Sequence, residues 1–183
     1  MLYGVLYGDI AGSTYEFKPC KDDNFIIVPN GSHFTDDTVM TLAVAQWLME
    51  DPKDINILIK CMQRLGNLYI HAGYGRMFRK WLKSFKPQPY NSFGNGSAMR
   101  VSPCAWVAKS LEEAEELAFK SASVTHNHPE GIKGAQSVAS AVYLAKIGKS
   151  KEEIKEYIKN KYNYNLDRTV QDIKNSGYSF NET

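Results

Sequence analysis

The chain is poor in every feature that would mark secretion, a membrane or nucleic acid. Its three cysteines, Cys20, Cys61 and Cys104, are widely separated and odd in number. That excludes a disulfide framework and matches no metal or redox spacing. Free thiols are the ordinary state in a reducing cytosol, so a cytoplasmic location is expected. No basic-then-apolar leader opens the sequence, and no apolar run approaches the length of a membrane span. A net charge of +2 over 183 residues leaves no basic footprint for nucleic acid. Basic residues thicken only after Lys146, where Glu152, Glu153, Glu156 and Asp172 interleave with them as on a solvated helical surface. Strand patterns are scarce, with Phe25-Ile26-Ile27-Val28 the single short candidate. No repeat, low-complexity tract or linker divides the chain, so residues 1–183 read as one domain with a real core.

What is present is helical periodicity. Leu2 to Phe17 carries Gly4, Gly8 and Gly12 at intervals of four, which on a helix share one face and predict close approach of a neighbouring backbone. Each glycine in a helix interior costs about 1 kcal/mol, so three of them demand a tertiary reason. Asp9 and Glu16 would project from one side of that helix. A loop from Lys18 to Ser32 follows, of a length usually reserved for function. The run Val39 to Met49 is helical, with Thr35 or Asp36 as its cap. Asp54 to Tyr69 aligns Ile55, Leu58, Ile59, Met62 and Leu65 on one face. Gly73-Tyr74-Gly75 interrupts before Arg76–Leu82, and Lys86 to Ser92 is loop. Ser110 with Glu113 forms a capping box for a helix through Ser121, and Ser150 with Glu153 another for a helix ending near Lys161. Between them Pro129 opens a helix that Gly148 could close, and Asp167 to Lys174 is a last short candidate. The fold class is all-α.

Three polar constellations carry chemistry. In Phe34-Thr35-Asp36-Asp37-Thr38, two adjacent carboxylates sit between hydroxyls at a helix head. Such oxygens suit magnesium, manganese or calcium, and also complement the helix dipole. Asn91-Ser92-Phe93-Gly94-Asn95-Gly96-Ser97-Ala98-Met99-Arg100 is a glycine-spaced turn whose exposed N–H groups could hold phosphate oxygens. Ordinary turn chemistry is the plainer account of a lone glycine loop, and no Rossmann or Walker fingerprint is present. Thr125-His126-Asn127-His128-Pro129-Glu130-Gly131 sets two histidines and a carboxylate before a helix, as a polar cap or as donors to phosphate or sugar oxygens. Zinc would need three or four convergent ligands, which the cysteines do not supply.

Taken in order, these residues resemble the ADP-ribosylglycohydrolase family. The motifs are Gly8-Asp9-Ile10-Ala11-Gly12-Ser13-Thr14-Tyr15-Glu16, the Thr35-Asp36-Asp37 head, the Ser92–Arg100 loop and Thr125–Gly131, with Gly73-Tyr74-Gly75-Arg76 a weaker fifth. The resemblance implies a compact orthogonal multi-helix domain that hydrolyses the bond between ADP-ribose and a modified side chain or related compound. It implies two magnesium or manganese ions, with Thr35, Asp36 and Asp37 as metal ligands and Glu16, Asp36 and Asp37 in the chemistry. Ser92, Phe93, Gly94, Asn95, Gly96, Met99, Arg100 and His126 are the residues it assigns to substrate.

One departure stands out. The family continues to a second Asp-x-Asp-Thr cluster on a late helix, whereas this sequence stops at Ser179-Phe180-Asn181-Glu182-Thr183 with no such cluster after Thr38. The expectation is a domain shortened at its C-terminus, holding half of the metal ligands. Self-association or a separate chain would then complete it. The alternative is a catalytically impaired ADP-ribose- or nucleotide-binding module, or a truncated structural relative.

Overall fold

A computed structural model describes residues 2–18, 20 and 24–177. The expectations that fall on Pro19, residues 21–23 and the last six residues lie outside that range. The described elements are helices: α1 (Leu2–Gly12), α2 (Asp36–Glu50), α3 (Ile55–Leu68), α4 (Arg76–Leu82), α5 (Ser102–Val107), α6 (Leu111–Ser123), α7 (Pro129–Lys146), α8 (Lys151–Tyr162) and α9 (Val170–Asn175), with a 3₁₀ turn at Asn95–Ser97. The all-α expectation holds among the described residues. The exposed segment Phe25–Val28 forms no strand; it has no neighbouring strand to satisfy its backbone, and a lone strand has nothing to pair with.

The core is assembled by α2 and α3, packed as an antiparallel pair, and by α5, α6 and α7. Val39, Met40, Ala43, Val44 and Trp47 of α2 are buried against Leu58 and Met62 of α3. The Trp47 indole N–H donates to the Asp54 carbonyl at 3.1 Å, fastening the turn between the two helices. Asp54 caps α3 through its own carboxylate. On the other side α6 and α7 form the largest helix contact, and Glu115 of α6 ties them to α8. Its carboxylate accepts from Ser140 Oγ (2.8 Å), Tyr157 OH (3.0 Å), Tyr162 OH (2.8 Å) and Lys161 Nζ (2.7 and 2.6 Å). Burial works against the ionised form there, but these donors outweigh it and hold the Glu115 carboxyl below the usual glutamate range.

Capping chemistry set several boundaries as expected. Ser150 and Glu153 make the reciprocal box at the head of α8, and Gly148 follows α7 in the left-handed region at φ +84°. The box at α6 is only half formed. Ser110 Oγ accepts from Glu113 N, whereas the Glu113 carboxylate reaches one residue further back to Lys109 N at 2.6 Å. The last helix begins at Val170, because Thr169 and Asp172 form the capping box and Asp167 is instead paired with Lys155 and Lys159.

The N-terminal expectations need two corrections. α1 ends at Gly12, so Glu16 lies in the bend beyond it and does not share a helix with Asp9. Apart from α1 itself, no atom of the described residues comes within 4 Å of a Cβ built on Gly4, Gly8 or Gly12. Among the described residues the glycine face of α1 therefore receives no neighbouring backbone, and α1 has no buried residue.

Candidate active site

The head of α2 is capped from two directions. Thr35 has the extended backbone of an N-cap, and its Oγ1 accepts from Asp37 N at 3.3 Å. Its hydroxyl proton goes to Asp9 Oδ1 at 2.6 Å. Asp9 Oδ2 in turn accepts from Thr35 N (2.8 Å), Thr38 N (3.2 Å) and the Thr38 hydroxyl (2.5 Å). An aspartate from α1 thus satisfies first-turn donors that no intrahelical carbonyl can reach. That clamp is what seats the otherwise uncovered α1.

With Asp9 in the capping role, Asp36 and Asp37 add two further carboxylates to the same helix head. Burial and then Asp37 push the Asp36 carboxyl up to about 7, with Glu16 and Asp9 adding to the rise. Asp37 is raised by burial and by Asp9, against its hydrogen bond from Thr35. Glu16 is raised by burial, Asp37 and Asp9. Burial and mutual repulsion of like charges together raise all three carboxyls. Gly73, at φ +107°, lies against this group, and a Cβ there would stand 3.2 Å from Asp36 Oδ1. Next to it Tyr74 is only 3 % exposed, and its hydroxyl has no hydrogen-bond partner among the described residues. Burial and the Asp36 charge push that phenol above its ordinary range.

A cleft of about 410 Å³ joins Asp36 to Arg76, Tyr90, Ser92, Gly94, Asn95, Gly96, Met99, Arg100 and His126. Its volume lies within the range of about 300–1,000 Å³ common to small-molecule sites. The far wall is zipped together by backbone. Tyr90 N donates to Thr125 O at 3.2 Å, and Asn91, in the left-handed region at φ 55°, donates to Asn127 Oδ1 at 2.7 Å. Ser97 Oγ donates to Gly131 O at 2.7 Å. Gly131 is required by close approach, because a Cβ there would meet Ser92 O at 2.7 Å and His126 Cβ at 3.1 Å. The glycine loop, the Thr125–Gly131 motif and the start of α7 are therefore one unit.

Within that unit the two histidines separate. His128 is the N-cap of α7, its Nδ1 accepting from Glu130 N at 3.1 Å. His126 instead lines the cleft beside Gly96. Burial and the Arg100 charge lower its pKa to about 3, so the ring is neutral. Arg100 is 1 % exposed and bonded to Ser121 and Thr125, with no carboxylate partner among the described residues. Phe93, expected at the substrate, is 69 % exposed, stands outside the cleft lining and packs on the His128 ring at 5.3 Å.

The sequence comparisons decide the ancestry of this arrangement. The family model described as ADP-ribosylglycohydrolase matches residues 1–179. The chain belongs to the ADP-ribosylglycohydrolase family. Among curated relatives, the ADP-ribosylhydrolase ARH3 of Bos taurus is 30 % identical over 185 residues, covering 83 % of this chain and 50 % of the relative. The human ARH3 gives the same identity and coverage. The ADP-ribosylarginine hydrolase Tri1 of Pseudomonas putida (strain GB-1) is 29 % identical over 178 residues, covering 83 % of this chain and 47 % of the relative. The chain spans about half the length of the curated relatives it matches.

Among the described residues no three His, Cys, Asp or Glu side chains converge as a metal group, and no helix is long and apolar enough to cross a membrane. Several participants were not legible beforehand. Asp9, Thr125 and Gly73 to Arg76 sat inside motifs of the resemblance without an assigned task. Tyr90 carried no signal of its own, since its role arises from contact with a segment about 35 residues away in sequence.

Proposed function

We propose that this chain carries the nucleotide-sugar half of an ADP-ribosylglycohydrolase site and hydrolyses the bond between ADP-ribose and a modified side chain. The observation that carries the reading is the cleft itself. It brings Asp36, from a cluster of mutually repelling carboxylates, into one cavity with a buried Arg100 that has no carboxylate partner among the described residues and a neutral His126. ADP-ribose has matching parts, a ribose to be attacked and an anionic diphosphate to be held.

The donor set at the α2 head fits a magnesium or manganese ion. Asp36 and Asp37 supply hard carboxylate oxygens, and Thr35 Oγ1, donating to Asp9 and accepting from Asp37 N, retains one lone pair. The buried Tyr74 hydroxyl without a partner among the described residues, and Gly73 pressed close to Asp36 Oδ1, are consistent with a polar group being held there. Such an ion supplies Lewis-acid polarisation of the sugar and orientation of water. Water and further polypeptide would fill its remaining positions.

In the reaction, the glycosidic bond at the anomeric carbon breaks, a water oxygen forms the new bond to that carbon, and the water proton passes to a carboxylate and on to the leaving group. We assign that proton to Glu16, whose carboxyl is raised by burial and then by Asp37 and Asp9. The carboxylate cluster stabilises the oxocarbenium-like charge. Ser92, Gly94, Asn95, Gly96, Met99, Arg100 and His126 bind and orient the diphosphate side, while Phe93 stands outside the cleft lining against the His128 ring.

The test is release of ADP-ribose from peptides ADP-ribosylated on arginine or serine, with magnesium or manganese. It is run on the chain alone and with any polypeptide encoded directly downstream. Metal-dependent release that Asp36→Asn and Asp37→Asn each abolish is the expected result. No release in either arrangement overturns the enzymatic reading, and ADP-ribose binding that persists in chelator would then assign a binding module.

A further inference from the structure

His126 has two ring nitrogens with different partners. Its Nδ1 lies 2.7 Å from Thr125 Oγ1. Its Nε2 has no acceptor among the described residues and lies beside Gly96 in the cleft, 3.2 Å from where a Cβ on that glycine would stand. Thr125 is fully buried, and its hydroxyl accepts from Arg100 Nη2 at 2.9 Å. A guanidinium donates only, so this bond occupies a hydroxyl lone pair and leaves the hydroxyl proton to be placed. The one acceptor within reach among the described residues is His126 Nδ1. Were Nδ1 to carry the ring proton, the Thr125 hydroxyl would receive two donors and bury its own proton unbonded. The penalty for an unmet buried donor corresponds to about tenfold to a hundredfold in population.

We infer that Arg100 and Thr125 are positioning residues that lock His126 as the Nε2–H tautomer, so that the cleft presents a neutral imidazole N–H donor to an acceptor oxygen of the ligand. The direction of the relay is set at its buried end. Arg100 is held by the Ser121 carbonyl at 2.5 Å and Ser121 Oγ at 3.3 Å, and it has no freedom to accept. Each bond then fixes the next, from guanidinium to hydroxyl to ring nitrogen, and the last donor points at the ligand space. The ring stays neutral because it is buried beside Arg100. Naming that ligand oxygen as a phosphate oxygen rests on the reading of the cleft above; the tautomer does not.

Nitrogen-15 NMR of the imidazole rings decides it, with the His126 signals among the four histidines identified by loss in His126→Asn. In the unaltered chain Nε2 is expected in the protonated range, and Nδ1 in the unprotonated range with the upfield displacement of an accepted hydrogen bond. Thr125→Ser should keep that pattern. Thr125→Val, which leaves Arg100 its Ser121 bonds, should lose the displacement and admit exchange between tautomers. ADP-ribose affinity, by calorimetry, should fall about tenfold in Thr125→Val and recover in Thr125→Ser. A ring proton on Nδ1 in the unaltered chain, or ring signals identical in all three proteins, overturns the relay. Absence of ADP-ribose binding by the unaltered chain would overturn the functional reading while the ring signals still decide the tautomer.

Discussion

Asp36 and Glu115 are both half-buried carboxylates on helices of the same chain, yet their surroundings are opposite. Glu115 collects hydrogen bonds from Ser140, Tyr157, Tyr162 and Lys161, and its carboxyl is held low. Asp36 faces Asp37, Glu16 and Asp9, and its carboxyl is pushed up to about 7. One negative charge is answered by the protein and the other is left for something else to answer. The difference separates a carboxylate that holds helices together from one held in unfavourable electrostatics, the pattern on which the proposed ligand role of Asp36 rests.

The contrast can be broken deliberately. The largest effect is expected at Asp36. Asp36→Asn should abolish metal-dependent turnover while raising stability in chelator by about 1–2 kcal/mol, because a repelling charge is removed. Urea unfolding with EDTA beside an ADP-ribose release assay checks both, and a loss of stability would show that the carboxylate is structural after all. Glu115→Gln should do the reverse, lowering stability by about 1–3 kcal/mol with ADP-ribose affinity unchanged. Because the folded Glu115 carboxyl is depressed, its contribution is complete above the ordinary glutamate value of 4.5 and disappears as pH falls through the lower folded value. Urea midpoints followed from above the ordinary glutamate value of 4.5 to well below it should therefore converge between the unaltered chain and Glu115→Gln at the acid end.

Two glycines sharpen the same comparison on a smaller scale. Gly131→Ala forces a Cβ to within 2.7 Å of Ser92 O, so the loop and His126 must shift and ADP-ribose binding should weaken about tenfold. Gly8→Ala meets nothing within 4 Å and should stabilise by up to about 1 kcal/mol through helix propensity. Thermal unfolding of Gly8→Ala that shows a clear loss would mean that the α1 face is covered in solution.

Much of this architecture was legible beforehand where local chemistry decides it. The Thr35 cap, the Ser150–Glu153 box and the apolar face from Ile55 to Leu65 all follow from side chains within a turn or two of one another. Legibility failed where distant segments decide. The glycine spacing of α1 predicted a neighbour that is absent from the described residues, and Glu16 was extended onto a helix that stops at Gly12. Phe93 was grouped with its loop, although alternate residues of a turn face different ways and this one packs on His128.

By itself the sequence determined an all-helical chain of the ADP-ribosylglycohydrolase family, with hydroxyl and carboxylate oxygens at one helix head and a glycine-spaced loop some 55 residues later. Those are properties of periodicity, capping and ordered motifs, which act over short stretches of backbone. Only the tertiary structure decided that Asp9 caps a helix it does not belong to, that Arg100 is buried without a carboxylate partner among the described residues and that Thr125 stands between it and His126. Hydrogen bonds and repulsions between segments depend on where packing carries each side chain, and no local pattern encodes that position.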